Sequence, residues 1–525
     1  MTVATRLPCD EAALRAAAPA SPCDAARRRW VLVAAIVGSS LAFVDGTVVN
    51  IALPAIQQSL GASAAQVQWV VEAYALLLSA LLLAGGALGD RFGRRRMFLA
   101  GTVVFALASL GCALAPTVHV LIGARAVQGL GAALLVPGSL ALISAAYPEP
   151  ERGPAFGTWA AFSGIASGLG PLVGGWLVDR YAWPWAFAIN LPAAAVLVAI
   201  TLLRVPDDRP APSRTRFDAG GAVAATVALA GAVFAFTEAP VRGWTDVAVL
   251  GAAALALVAG AAFVAAERRH PAPMVPLGLL GQRTFAGANL LTLLLYAGLG
   301  GGLYFLPLNL VQVQGLSATQ AGAALLPFIL VMFLLSRWAG GLVERHGARP
   351  PLVLGPALAG AGFALLAVPG TGAGYWGFLP GVVVLGIGMG VAVAPLTTVV
   401  MGAVPGEAAG VASGINNAVS RMAGVLALAV FGWLMAGVFG PQLRDGLDAA
   451  QLPRELVQAV WAERGQLAGL RPPPGIDPDA ADAIRQATHE AFVAGFRAIM
   501  IASAVLAWLS AAVAAISMPR KPEGD

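Results

Sequence analysis

The sequence predicts an all-α membrane protein of fourteen transmembrane helices. Three observations carry that prediction. Of the 525 residues, 58% are hydrophobic and only 11% charged, and the mean hydropathy is +0.78; a soluble globular chain of this length does not bury so much apolar surface. The apolar residues fall into long uncharged runs, and roughly 18 to 20 residues are what a helix needs to cross a ~30 Å hydrocarbon core. The arginines collect in alternate gaps between the runs, as expected of a chain threaded repeatedly through a bilayer.

Taken in order, the runs centre near Ser40, Ser79, Phe105, Leu130, Gly168, Val196, Ala228, Leu257, Leu295, Val331, Leu365, Ile387, Leu426 and Leu506. Those at Ala228 and Leu257 are Ala/Gly/Val-rich and the least sharply bounded. One set of short loops holds Arg27, Arg28, Arg29, Arg91, Arg94, Arg95, Arg96, Arg152, Arg204, Arg209, Arg214, Arg216, Arg268, Arg269, Arg283, Arg345 and Arg349, whereas the opposite set holds only Arg180 and Arg242. Short loops rich in arginine stay in the cytoplasm. The expected protein is therefore a multi-pass protein of a bacterial cytoplasmic membrane with both termini, including Arg520 and Lys521, inside. The net charge of +5 is a topology signal, and its dispersal among loops excludes a nucleic-acid surface.

Residues 1–29 are polar and Ala-rich, with Asp10, Glu11 and Asp24, and do not read as a cleavable signal. Cys9 and Cys23 fall in this tail and Cys112 in an apolar run, so no disulfide or metal framework is implied and the thiols are expected to be inert.

The expected units are a tail (1–29), a six-helix bundle (30–204), a linker with two extra spans (205–284), a second six-helix bundle (285–518) and a short tail (519–525). A degraded repeat supports the division. Gly341, Glu344, Arg345, Gly347 and Arg349 follow the second span of the second half in the order in which Gly89, Asp90, Arg91, Gly93 and Arg94 follow the second span of the first. One outer segment is long, 438–490. It is expected to carry two short amphipathic helices, one with Leu456, Val457, Val460 and Trp461 at helical spacing, the other starting with Asp477 as N-cap and Pro478 in the first turn. It reads as a solvated cap or, more sharply, as a gate or a docking surface for a periplasmic adaptor.

The loop Gly86, Gly89, Asp90, Arg91, Gly93, Arg94, Arg95 and Arg96 is glycine-hinged, with one acid among arginines between two spans. It closely resembles the loop between the second and third helices of major facilitator superfamily transporters. The resemblance implies an inner gate, in which Asp90 pairs with a neighbouring helix and holds the cytoplasmic side closed in one state. Topology-setting charge alone is the plainer reading. The fourth span, with Arg125, Gln128, Gly129, Gly131 and Pro137, is similar to a second motif of that family. An arginine inside the membrane costs several kcal/mol unless paired or hydrated, or else snorkels to a surface. The fifth span carries Gly157, Gly170, Pro171, Gly174 and Gly175 and resembles the family's antiporter motif, with Ala166 where glycine is usual; small residues there let helices approach closely. The first span, with Asp45, Thr47, Asn50 and Pro54, and the thirteenth, with Asn416, Asn417 and Arg421, resemble the fourteen-span drug/proton antiporter branch.

Depth arithmetic adds to the motifs. Asp45 lies fifteen residues after Trp30, roughly 22 Å from the cytoplasmic edge at 1.5 Å per residue. Arg125 lies about seven residues, roughly 10 Å, down a span entered from outside. The two share an outer layer and are expected to couple, directly or through Gln128 or water, with Glu72 slightly shallower. Burial disfavours the charged form of a carboxyl and a nearby arginine favours it, so a carboxyl whose surroundings alternate can load a proton outside and release it inside. A structural ion pair is the alternative. Glu72 and Glu238 read as near-interface groups, Arg421 as near the inner end of its span, and His119, His270, His346 and His489 as span-end or loop residues.

The function these readings support is a proton-coupled antiporter that exports drugs or antibiotics, often lipophilic cations, by alternating access. It is driven by the proton motive force, with no cofactor, no metal and no enzymatic reaction. The expected partners are the small-molecule cargo, protons and the lipid bilayer, with the chain acting as a monomer. A dedicated exporter of one metabolite, lipid or antibiotic keeps the fold and changes the cargo. A membrane-embedded transferase would need an acid or histidine cluster at one face, and a sensor would need a soluble domain.

Overall fold

The computed structural model describes residues 25–147, 149–206, 218–270, 277–404 and 409–519. Cys9, Asp10, Glu11, Cys23, Asp24, Arg209, Arg214, Arg216, Arg520 and Lys521 lie outside these segments, as do the side chains of Asp90, Arg152 and Glu344. Fourteen helices are long and apolar enough to cross a membrane. They are α1 (Ala25–Leu60), α2 (Ala64–Phe92), α3 (Arg94–Ala113), α4 (Val118–Ala146), α5 (Glu149–Arg180), α6 (Asn190–Arg204), α7 (Ala219–Arg242), α8 (Val247–Arg269), α9 (Arg283–Leu308), α10 (Ala318–Ala324 continued by Leu326–Gly340), α11 (Arg349–Leu366), α12 (Gly374–Gly402), α13 (Ala409–Ala449) and α14 (Pro478–Ser517). No strand occurs among the described residues. With fourteen crossings, the start of α1 and the end of α14 share one face, which is also the arginine-rich one; the other is called the far face below.

Polar caps set where the spans begin. A helix entering lipid leaves its first N–H groups without intrahelical partners, and these helices satisfy them with side chains. Ser63 and Gln66 form a reciprocal capping box at α2, Thr117 caps α4, Asp218 caps α7 and Asp246 caps α8. Ser317 and Gln320 repeat the capping box at α10.

The internal repeat is stronger than the loop motif alone indicated. A single offset relates Gly61 to Gly315, Ser63 to Ser317, Gln66 to Gln320 and Gly93 to Gly347. Gly61 and Gly315 have φ of 60° and 70°, and Gly93 and Gly347 of 99° and 82°, a region that side chains with a Cβ avoid. Packing repeats as well. In the first half α2 and α3 pack on α4, α1 packs on α5 and α6, and α3 packs on α6; in the second, α10 and α11 pack on α12, α9 on α13 and α14, and α11 on α14. Halves related in this way are characteristic of secondary transporters.

Two seams join the halves, α5 against α10 and α2 against α13, and these are equivalent under the repeat. The pair α7–α8 breaks the equivalence, because α7 packs against both α2 and α13 and so covers one seam only.

The far-face segment differs from expectation. In place of two short helices on a long loop, α13 runs for 41 residues and α14 for 40. Each spans about 60 Å, twice the hydrocarbon core, so both project beyond the membrane. Only one short helix, Arg454–Ala462, and a 3-10 turn, Arg464–Gly469, lie between them. Pro478 does open α14, where its missing N–H is harmless, but the Asp477 side chain makes no capping bond.

Candidate functional site

A buried polar cluster fills the core of the first half. α1 supplies Asp45, α3 Ser109, α4 Arg125 and Gln128, and α6 Asn190, each at most 2% exposed. The Arg125 guanidinium donates from Nη1 to Asp45 Oδ2 at 2.5 Å and to Gln128 Oε1 at 2.6 Å. Its Nε donates to the Val70 carbonyl on α2 at 2.9 Å, and its Cζ stands 4.2 Å from the centroid of the Tyr74 ring. Asp45 Oδ1 accepts from Gln128 Nε2 and from Asn190 Nδ2, both at 2.8 Å. Ser109 Oγ accepts from Gln128 Nε2 at 2.8 Å and donates to the Phe105 carbonyl. The layer expected from depth arithmetic is thus a direct ion pair, with Gln128 bonded to both members. Such a pair is neutral as a unit, whereas removing one partner strands a charge at a cost of about 3–5 kcal/mol.

A cavity of about 420 Å³ lies beside this cluster, between the two halves. Phe43, Asn50, Glu72, Tyr74, Arg125, Tyr296, Tyr304 and Arg421 are among its lining residues; Asp45 is not. Asn50 Oδ1 is buried there and has no hydrogen-bond partner among the described residues. Arg421 has a contact that the sequence did not show. It lies on the cavity wall over the Phe43 ring, 5.6 Å from Cζ to centroid. The extra length of α13 lies at its far-face end, so Arg421 stays in the arginine-rich half of the helix, as its sequence position implied.

Glu72, expected near an interface from its position near the start of α2, is covered by neighbouring helices. It is fully buried, its Oε1 accepts from Gln68 Nε2 at 2.7 Å and its Oε2 from Thr237 Oγ1 of α7 at 3.1 Å. The seam partners α7 and α13 cover a position that an isolated span would leave exposed. Glu238 points elsewhere, accepting from Trp69 Nε1 and pairing with Arg242.

The glycines of α5 divide by role. A Cβ on Gly170 would meet Thr47 Oγ1 at 2.1 Å, and one on Gly174 would meet the Val48 backbone at 3.1 Å, so these two seat α5 on α1. Thr47 Oγ1 donates to the Ser167 carbonyl at 3.0 Å across the same contact. Gly175 faces the other half, where a Cβ would meet Ala318 O at 2.4 Å, and Pro171 O abuts Gly322. Gly157 has nothing within 4 Å. Of the other branch residues, Pro54 lies inside α1 and Asn417 is exposed, while Asn416 beside it donates to Thr292 Oγ1 of α9 at 2.6 Å.

The expected loop is a single residue: α2 runs through Phe92 and α3 starts at Arg94, with Gly93 between them at positive φ; Arg91 is exposed, Arg94 reaches the Ala141 carbonyl, and Arg95 reaches those of Thr201 and Leu202. These bonds tie the start of α3 to the ends of α4 and α6 within one half. A Cβ on Gly86 would lie 3.8 Å from Pro137 and one on Gly89 in open space, whereas one on Gly85, which the motif does not include, would meet Ala133 O at 1.9 Å.

Asp179 escaped the sequence reading. It sits at the far-face end of α5 and accepts from the Ala318 and Thr319 amides at 3.1 and 2.8 Å and from Thr319 Oγ1 at 2.5 Å. An acid of one half thus caps a helix of the other, where it also meets the positive end of the helix dipole. The only sequence signal is an acid beside Arg180 at the close of a span. Asp179→Ala is expected to weaken far-face closure by about 1 kcal/mol, read as faster thiol labelling of a cysteine at Thr319.

The profile of the Major Facilitator Superfamily matches residues 35–428. The tetracenomycin C resistance and export protein of Streptomyces glaucescens is 33% identical over 94% of this chain and 93% of its own length. The multidrug resistance protein Stp of Mycobacterium tuberculosis is 35% identical over 91% and 89%, and the puromycin resistance protein pur8 of Streptomyces alboniger 37% over 80% and 84%. Among solved structures, a bacterial homologue of the human lysosomal transporter Spinster, inward-facing, superposes with a TM-score of 0.64 over 95% of this chain and all of that one, at 17% identity, a likeness of fold alone. By profile, relatives and fold together, the chain belongs to the major facilitator superfamily and is a fourteen-span membrane transporter.

Proposed function

We propose that the protein exports drugs or antibiotics across the cytoplasmic membrane in exchange for protons, with its termini in the cytoplasm. The observation that carries this reading is the cavity between the halves, closed toward the far face. Closure there is made by Asp179 on α10, by Gln57 Nε2 on the Gln466 carbonyl and by Gln312 Nε2 on Gln57 Oε1. A cavity sealed on one side, at the junction of two repeated bundles, is what alternating access requires. Its walls offer aromatic rings together with one carboxyl and two guanidinium groups, which suits lipophilic cargo carrying a polar or charged group. The relatives add the cargo class, since their names refer to resistance to, or export of, antibiotics. The junction of α2 and α3 serves as the cytoplasmic gate, with Asp90 and its arginines.

Two measurements test the proposal. Expression in a strain lacking its own pumps should raise the inhibitory concentration of at least one compound in a panel of lipophilic cations and antibiotics by about fourfold or more. Adding that compound to proteoliposomes holding a proton gradient should release protons in step with its movement. Resistance without proton movement would leave an exporter of another energy source. Resistance to a single compound favours a dedicated exporter, a reading supported by relatives named for one antibiotic each.

A further inference from the structure

Three buried ionic side chains stand at or beside the central cavity on the first-half side: Asp45, Arg125 and Glu72. Two of them satisfy each other. Both Asp45 oxygens are engaged, by Arg125 on one side and by Gln128 and Asn190 on the other, and the residue is walled off from the cavity. Protonating Asp45 would leave the buried Arg125 guanidinium without its ion-pair partner, with no second carboxylate within ion-pair distance among the described residues.

Glu72 is the opposite case. It borders the cavity, and its two hydrogen-bond partners, Gln68 and Thr237, are neutral. The titratable and charged groups around it are Tyr74 on its own helix, Tyr304 and Tyr296 on α9, Arg421 on α13 and Arg125 on α4, all on the cavity wall, with Glu238 of α7 turned to Arg242. None of the arginines pairs with it. A buried carboxyl without a cation beside it accommodates either a proton or a cationic ligand. Its partners tolerate both forms. When Glu72 is ionised, Thr237 Oγ1 donates to Oε2; when it is protonated, the Oε2 hydroxyl donates to Thr237 Oγ1 and the threonine hydrogen rotates away.

Location adds a third argument. Gln68 Nε2 donates to Glu72 and also to the Leu428 carbonyl of α13 at 3.1 Å, and Gly432 makes room for it. Gln68 and Thr237 also line a second cavity of about 220 Å³, which reaches Gln57, Gln312 and Arg464 at the far-face closure. Glu72 therefore stands between the far-face cavity and the central one, at a joint of first half, inserted helix and second half. The same register in α10 holds Gly322 and Leu326 in place of Gln68 and Glu72, so the other seam has no counterpart.

We propose that Glu72 is the group that carries the coupling proton, and that Asp45 is the permanent counter-ion of Arg125. This rests on the exchange reading above. A hydronium ion in the far-face cavity gives its proton to Glu72 Oε2 and leaves water. After the halves rock, the acid returns the proton to water on the arginine-rich side, where a cationic substrate takes its place against the carboxylate.

The test uses the full chain in proteoliposomes with tetraphenylphosphonium as the probe cation. The unaltered protein is expected to release protons when the probe is added, Glu72→Gln to lose that release at least tenfold, and Glu238→Gln to keep it. Release persisting in Glu72→Gln overturns the assignment but leaves proton exchange standing; no release from the unaltered protein with any transported cation removes the exchange reading itself. Dicyclohexylcarbodiimide, which adds to protonated carboxyls in apolar surroundings to form an acylurea, examines the unaltered protein directly. Labelling at Glu72 that the probe cation suppresses, with Asp45 unlabelled, is the expected pattern by peptide mass spectrometry. Labelling at Asp45 with Glu72 unmodified overturns the proposal.

Discussion

Replacing Arg125 with alanine is expected to destabilise the protein by about 3–5 kcal/mol and to abolish efflux. The substitution removes both guanidinium bonds to the cluster and the bond to the Val70 carbonyl. It leaves Asp45 charged in a core where only Gln128 and Asn190 still donate to it. The cost is mostly that of the stranded charge, so it should shrink when the charge is also removed. In the double variant Asp45→Asn with Arg125→Gln, the cluster is neutral throughout, and much of the lost stability is expected to return. Thermal unfolding in detergent measures the cycle. Equal losses in the single and double variants would mean that the pair contributes through packing and not through charge.

Gly175→Val is expected to abolish transport while leaving expression and unfolding temperature near those of the unaltered protein. Any Cβ at Gly175 would lie 2.4 Å from Ala318 O and 2.7 Å from Thr319 Cα. Backbone cannot yield as a side chain can, so α5 and α10 must part and the far face cannot close. The clash lies between the two halves and not inside either one, so the fold itself is expected to be spared. A cysteine at Thr319 should then react with a membrane-impermeant thiol reagent at least tenfold faster. Gly157→Ala is the contrast. It belongs to the same motif yet has nothing within 4 Å, and transport within about twofold of normal is expected. A large loss at Gly157 would show that a state other than the one described brings a neighbour against it.

The comparison of these two glycines shows how far the sequence could be read. A run of small residues says that helices come close, but not which glycine faces which partner, because facing depends on helix rotation that periodicity does not fix in a span apolar on all sides. Gly85 was passed over for Gly86 for the same reason. Depth was legible where a span has a clear start: Asp45 and Arg125 were placed in one layer, and they are in contact. What depth alone could not show was the burial of Glu72, which α7 and α13 cover from outside. Asn190 and Ser109 were invisible because a lone polar residue in an apolar helix has no pattern, and its partners lie on other helices. Residues that act across the seams, Asp179 and Gln68 above all, could be found only once the halves were assembled.

The position of α7 has a mechanical consequence. It touches both halves, so each time they rock it must slip along one of them. Toward α2 it is held by hydrogen bonds, Thr237 to Glu72 and Trp69 to Glu238. Toward α13 it shares an apolar cluster, Leu229 and Val233 with Val425 and Ala429, and just past its end Trp244 stands against Trp433. Directional bonds resist sliding, whereas small apolar side chains lose little when they exchange neighbours of the same kind. The inserted pair should accordingly ride with the first half as a fender, and the slip plane should run along α13. A disulfide locking α7 to α2 would then leave turnover intact, while one locking α7 to α13 would arrest it.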